Sequence, residues 1–148
     1  MMTQTFWETI KKNSFKQNRP FFSLAPMEAV TDSIFRQVVA RAAAPDVFFT
    51  EFTNALSITH PKAKFSVMGR LYVDPAEKTM PVVQLWGDQS EAFYKAAFAV
   101  KKMGYKAIDI NTGCPDSTVV KNGGGSDLIR HPEKCPGSLR LADRAAYQ

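Results

Sequence analysis

Two cysteines and two histidines in 148 residues exclude several kinds of chemistry at once. Cys114 and Cys135 cannot build a disulfide framework and stand in no CxxC spacing, so both are expected to be reduced thiols. His60 and His131 each precede a proline, and neither has a ligand-spaced His or carboxylate to go with it. Both read as loop residues, and no metal centre is expected. No apolar run approaches the roughly 18 residues needed to span a bilayer, and Met1–Pro20 lacks the apolar centre of a signal peptide. A cytoplasmic location with no membrane partner is the default expectation. The Walker spacing is missing around Gly123–Gly125, which reads instead as a flexible rim loop.

What the chain does have is 45% hydrophobic and 11% aromatic residues, material for one ordinary globular core. Nineteen Lys and Arg against fourteen Asp and Glu give a net charge of +5. That excess favours polyanionic partners such as RNA only modestly, because it is common in proteins that never meet one. Lys11, Lys12, Lys16 and Arg19 gather in an N-terminal extension, residues 1–20, where Phe6, Trp7 and Ile10 share one side of a short helix. A solvated helix that docks through its aromatics is the expectation there.

Four strand-like runs start at residues 21, 47, 82 and 107, most of them followed by a polar or Gly/Pro rim and a helix-period segment. This alternation is the pattern of β/α architecture. After Phe21–Leu24, Thr31 is expected to cap a helix whose apolar stripe is Ile34, Phe35, Val38 and Val39. Val47–Thr50 leads into Glu51–Asn54. After Val82–Leu85 and Trp86–Gly87, Ser90 is expected to cap an Ala-rich helix that runs to about Met103 and stops at Gly104. The last run, Ala107–Ile110, reads as a strand covered on both faces, ended by Asn111, Gly113 and Pro115 so that Cys114 is delivered to a rim. Ser126–Arg130 reads as a helical turn and Pro132 as the start of a fourth outer helix. The run spacing fits one β/α unit of an eight-unit barrel of about 250 residues, so four units would be half of a TIM-type (β/α)8 barrel, here residues 21–135.

Parallel strands present their C-terminal ends to one side, which would gather Pro26, Met27, Glu28, Glu51, Asn54, Gln84, Asn111 and Cys114. Amide side chains offer a heterocycle paired donors and acceptors, and Pro26 and Met27 offer an apolar surface to a flat ring such as flavin. Glu51 and Asn54 fit equally well as caps of the turn after the second run.

The segments Ala25-Pro-Met-Glu-Ala-Val-Thr-Asp-Ser-Ile-Phe-Arg36, Gln84-Leu-Trp-Gly87, Asp109-Ile-Asn-Thr-Gly-Cys-Pro115 and Lys121–Leu128 resemble the tRNA-dihydrouridine synthases, in order from about Phe21 to Glu133. The resemblance implies an FMN-binding β/α barrel with a helical domain after it, and NADPH-dependent reduction of uridine to 5,6-dihydrouridine in tRNA. It implies that Pro26, Met27 and Glu28 border the FMN ring, that Gln84 hydrogen-bonds it, and that Asn111 lies beside flavin and substrate. Cys114 would be the proton donor to C5, a task for a thiol that is mostly protonated at neutral pH. Glu28-Ala29 and Thr112 depart from the family's commoner residues, and the family's later Lys, His, Arg and phosphate-binding loops have no counterpart.

Two other readings are an FMN barrel reductase of a small pyrimidine and a non-catalytic remnant or RNA-binding fragment. Residues 136–148 read as an atypical tail, as from a shifted reading frame, with Pro136-Gly137 breaking the fourth helix. The chain is therefore expected to be a truncated barrel with weak or no hold on FMN. Its exposed barrel edges are expected to favour self-association.

Overall fold

Parallel pairing joins the four apolar runs in chain order. In the computed structural model, which describes residues 5–131, 133 and 134, Ser23 bridges Val47 and Phe49 bridges Val82. A three-stranded parallel sheet continues the array: β1 (Thr53–Asn54), β2 (Val83–Trp86) and β3 (Ile108–Ile110), in that order. The fold is α/β, consistent with part of a barrel. The first two runs, expected as strands, form single bridges, held by Leu24 N–H on Val47 O (2.9 Å) and Val82 N–H on Phe48 O (2.8 Å). The regular part of the second strand lies further on, at Thr53–Asn54, inside what reads in sequence as a rim.

The core forms where β2 is covered on both faces: Val83 and Leu85 are fully buried, and Gln84 between them, on the opposite face, is buried too. Around them pack Ala55 and Ile58 of α3 (Ala55–Thr59) and Phe93, Ala96 and Val100 of α5 (Ser90–Lys102). Helix α5 follows from its sequence: buried Ala92, Phe93, Ala96, Ala97 and Val100 make one stripe, with Glu91 in the first turn and Lys101 and Lys102 in the last, complementing the helix dipole. It ends at Lys102 with Met103 as its C-cap, close to the expected end, and Gly104 takes φ +96. Its N-cap is Gln89, however, and Ser90 is the first helical residue. Tyr105 closes this core, its hydroxyl donating to Leu71 O at 2.6 Å, and burial pushes the phenol up to about 12. In contrast to β2, strand β3 is only half-buried, because just one of its edges is paired among the described residues.

Helix α2 (Ser33–Ala43) departs most from expectation. Asp32, not Thr31, caps it, accepting from Phe35 N–H at 2.8 Å. Ile34 and Val38 are 72% and 58% exposed, while Ser33 and Arg36 turn inward. The helix is rotated by an ion pair: Arg36, 1% exposed, donates to both oxygens of Glu77 (2.8 and 2.9 Å), to Thr31 O and to Tyr72 O. Ser33 Oγ adds a 2.6 Å bond to Glu77. A buried guanidinium is tolerable when a carboxylate neutralises it and carbonyls take further protons, and both conditions hold here.

At the N-terminus, α1 (Phe6–Gln17) begins with a Thr5–Glu8 capping box, but none of its residues is buried, so its aromatics do not dock into the core. Near its end Arg19 reaches Asp46 at 2.7 Å. Two short helices sit beside α3, α4 (Lys64–Val67) and a 3-10 turn (Met68–Leu71); α6 (Ser117–Lys121), unforeseen in sequence, and α7 (Asp127–Arg130) follow β3. Among the described residues no helix is long and apolar enough to cross a membrane. Cys135 and the 136–148 tail lie outside the described residues, as does the proposed helix start at Pro132.

Candidate active site

Strand register assembles the site. Gln84 on β2 stands opposite Asp109 on β3, so their side chains share a face, and Asn111, two residues on, returns to that face. Gln84 Nε2 donates to Asp109 Oδ2 at 2.6 Å, and Gln84 Oε1 accepts from Asn111 Nδ2 at 3.0 Å. Asn111 Oδ1 in turn accepts the backbone N–H of Gly113 (3.2 Å) and Cys114 (2.9 Å), an Asx-type turn that folds the chain back just past the strand. The half-buried thiol of Cys114 is thus tied to β2 through two amides.

The glycine run is packed, not flexible. Ser126 N–H donates to Cys114 O at 2.9 Å, and Gly124 and Gly125 are buried. A Cβ at Gly124 would stand 3.0 Å from the Trp86 ring, and one at Gly125 would collide with the Cys114 carbonyl. Gly125 also has φ +57, where a side chain is strained.

The 25–31 loop follows the first run. Thr31 holds it from within, its Oγ1 accepting from Met27 N–H and donating to Met27 O, both at 3.0 Å. The buried Glu51 accepts from Ala29 N–H at 2.7 Å, which fixes that residue at φ +57. Pro26 is half-buried; Met27 and Glu28 are exposed, and Glu28 pairs with Arg70 at 2.6 Å. Asn54 acts as the N-cap of α3, accepting from Ser57 N–H, while Glu51 serves the loop. His60 accepts from Lys62 and Ala63 N–H in a turn, and His131 is exposed near Glu133. Among the described residues no cluster of His, Cys, Asp and Glu could hold a metal.

The structure therefore brings Gln84, Asn111 and Cys114 into one bonded chain and leaves Pro26, Met27 and Glu28 on a separate, braced loop. Sequence reasoning missed Asp109, Thr31 and Arg70. Asp109 was legible in principle, since it alternates with the apolar Ile108 and Ile110 and so shares a face with Asn111.

A family model described as dihydrouridine synthase (Dus) matches residues 23–141. This chain belongs to the dihydrouridine synthase family. It is similar to a probable tRNA-dihydrouridine synthase of Staphylococcus epidermidis, 50% identical over 132 residues, and to one of Staphylococcus aureus at 49%. A probable tRNA-dihydrouridine synthase 2 of Bacillus subtilis is 49% identical over 131 residues. The matches cover 88 to 89% of this chain and 38% of each of those relatives. The chain thus spans well under half the length of the dihydrouridine synthases it matches.

Proposed function

We propose that this chain supplies the flavin-ring and proton-donor part of a tRNA-dihydrouridine synthase, with tRNA as substrate, NADPH as reductant and Cys114 as the acid. The observation that carries the reading is the bonded chain from Gln84 through Asn111 to the Cys114 amide. Gln84 and Asn111 each spend one amide proton on a protein acceptor. Each therefore keeps a second N–H, and this donor set fits the carbonyl and nitrogen edge of an isoalloxazine. Pro26, Met27 and Glu28 would border the ring. No cationic phosphate anchor belongs to this set, so the chain alone is proposed to hold FMN weakly.

When bound and reduced by NADPH, FMN would supply the hydride that adds to C6 of uracil. Negative charge then develops at C5 and the adjacent carbonyl, and a proton must arrive at C5. Cys114 gives it: the S–H bond breaks, the C5–H bond forms, and the thiolate recovers a proton from water. Asn111 Oδ1 accepts from the Cys114 N–H on one side, and on the other the Ser126 N–H donates to the Cys114 carbonyl, which limits how far the thiol can swing. A cytoplasmic location is proposed together with this reading.

The test supplies the chain with saturating FMN and NADPH and compares unmodified tRNA with free uridine, with dihydrouridine measured by mass spectrometry. Product on tRNA that is lost in Cys114→Ala supports the reading. Equal turnover of free uridine points to a small-pyrimidine reductase, and product on tRNA that is undiminished in Cys114→Ala overturns the assignment of the acid.

A further inference from the structure

We propose that Asp109 is a positioning residue: its carboxylate anchors and polarises a hydrogen-bond relay that runs through Gln84 and Asn111 to the backbone amide of Cys114. The relay's direction follows from its ends. At one end a carboxylate can only accept; at the other, the N–H groups of Gly113 and Cys114 can only donate. The two primary amides between them must therefore run head to tail. Turning Asn111 over would set its NH2 against two N–H groups and its oxygen against the Gln84 oxygen. Turning Gln84 over would set its oxygen against Asp109 and its NH2 against that of Asn111. The observed orientation is the one that leaves every link paired.

Direction also gives the carboxylate something to do at a distance. Each link pulls electron density toward the next donor, so a negative charge on Asp109 strengthens the grip of Asn111 Oδ1 on the Cys114 amide. The bond to Asp109 is the short one, 2.6 Å, as expected of a charge-assisted contact. Gln84 is 7% exposed and the other two members are half-buried, so little water competes along the relay. The relay likewise decides which edge of each amide stays free for a ligand: one N–H on Gln84 and one on Asn111. Its catalytic consequence rests on the proposed role of Cys114, whereas its direction does not.

Hydrogen exchange of the backbone amides, followed by NMR on the flavin-free chain, tests the relay without any turnover. Asp109→Asn keeps the shape and can still accept from Gln84 but lacks the charge; exchange at Cys114 and Gly113 is expected to quicken about threefold. Asp109→Ala should quicken it roughly tenfold or more, since Gln84 loses its acceptor. Adding Gln84→Glu to Asp109→Asn moves the charge one link along, where it accepts from both neighbours, and should restore protection at Cys114. A space-filling role predicts no effect of the isosteric Asn and no rescue. Unchanged exchange in both single variants overturns the proposal, as does acceleration spread evenly over the sheet. Loss of protection at Cys114 with undiminished dihydrouridine formation would uphold the direction of the relay and overturn Asp109 as a positioning residue, whereas only retained turnover in Cys114→Ala would overturn the catalytic reading of Cys114.

Discussion

Gly125→Ala should be among the most damaging single-methyl substitutions in the chain. The new Cβ would collide with the Cys114 carbonyl oxygen and come within 2.9 Å of Val119 Cγ1 and 3.2 Å of Cys114 Cβ. Neither neighbour is the free end of a flexible side chain. At φ +57 the left-handed backbone costs a non-glycine residue about 1–2 kcal/mol. Crowding a filled site adds about 1–3 kcal/mol. The Ser126 N–H bond to Cys114 O, worth about 1 kcal/mol, is lost if the two segments part. The backbone and crowding costs alone come to about 2–5 kcal/mol, comparable with the whole stability of a small domain. Gly69→Ala makes the control, because nothing lies within 4 Å of its added methyl and its stability should stay unchanged or rise slightly. Urea unfolding followed by circular dichroism measures both. Alkylation of Cys114, in a Cys135→Ser background, reports whether the thiol loop has come loose. A Gly125→Ala protein as stable as wild type, with unaltered alkylation, would refute the packing argument.

Four further outcomes follow from the geometry. Glu77→Gln leaves the Arg36 charge buried without its counter-ion and should cost about 3–5 kcal/mol in urea unfolding, most of it recovered by Arg36→Met together with Glu77→Leu. Arg19, and after it the Phe22 N–H, hold the Asp46 carboxyl down to about 2, so its stabilisation is present above the ordinary carboxylate range and lost as pH falls through about 2. Asp46→Asn should flatten that acid limb of a stability–pH profile. Cys114→Ala should slow single-turnover reduction of tRNA by about 100-fold or more with flavin binding unaffected, as rapid-quench product analysis would show. Ile34 and Ile129, 72% and 70% exposed, should drive concentration-dependent self-association of the chain in sedimentation velocity, and a monodisperse monomer would contradict this.

The parallel order of the four runs was legible because β-branched clusters separated by helix-period segments admit few other arrangements. Helix α5 was legible for the same reason, since one apolar stripe and a terminal glycine suffice to place it. Helix α2 was not. Its apolar residues predict one buried face, but Glu77, forty-one positions away, draws Arg36 inward, and no local pattern announces so distant a partner. At the site, the motifs marked Gln84, Asn111 and Cys114; register explains why the first two meet, and the Asx-type turn on Asn111 why Cys114 joins them. The bracing residues Thr31 and Glu51 act through backbone groups of other segments, which periodicity does not encode. Gly123–Gly125 misleads because glycine serves mobility and close packing equally; only the surroundings tell which.

Seating Gly124 against the end of β2 and Gly125 against Cys114 turns the 115–124 segment into a measured length of chain. Surface connections ordinarily absorb insertions and deletions with little penalty. This one cannot, because removing a residue would put Ser126 in the place of Gly125, and adding one before Gly123 would put Asn122 in the place of Gly123, where φ is +72 and a Cβ would stand 2.8 Å from Asp88 Cβ. The interval between thiol and glycine should therefore be as intolerant of change as either residue. Counting it is a sharper criterion for a working loop of the proposed proton-donor kind than the presence of the cysteine.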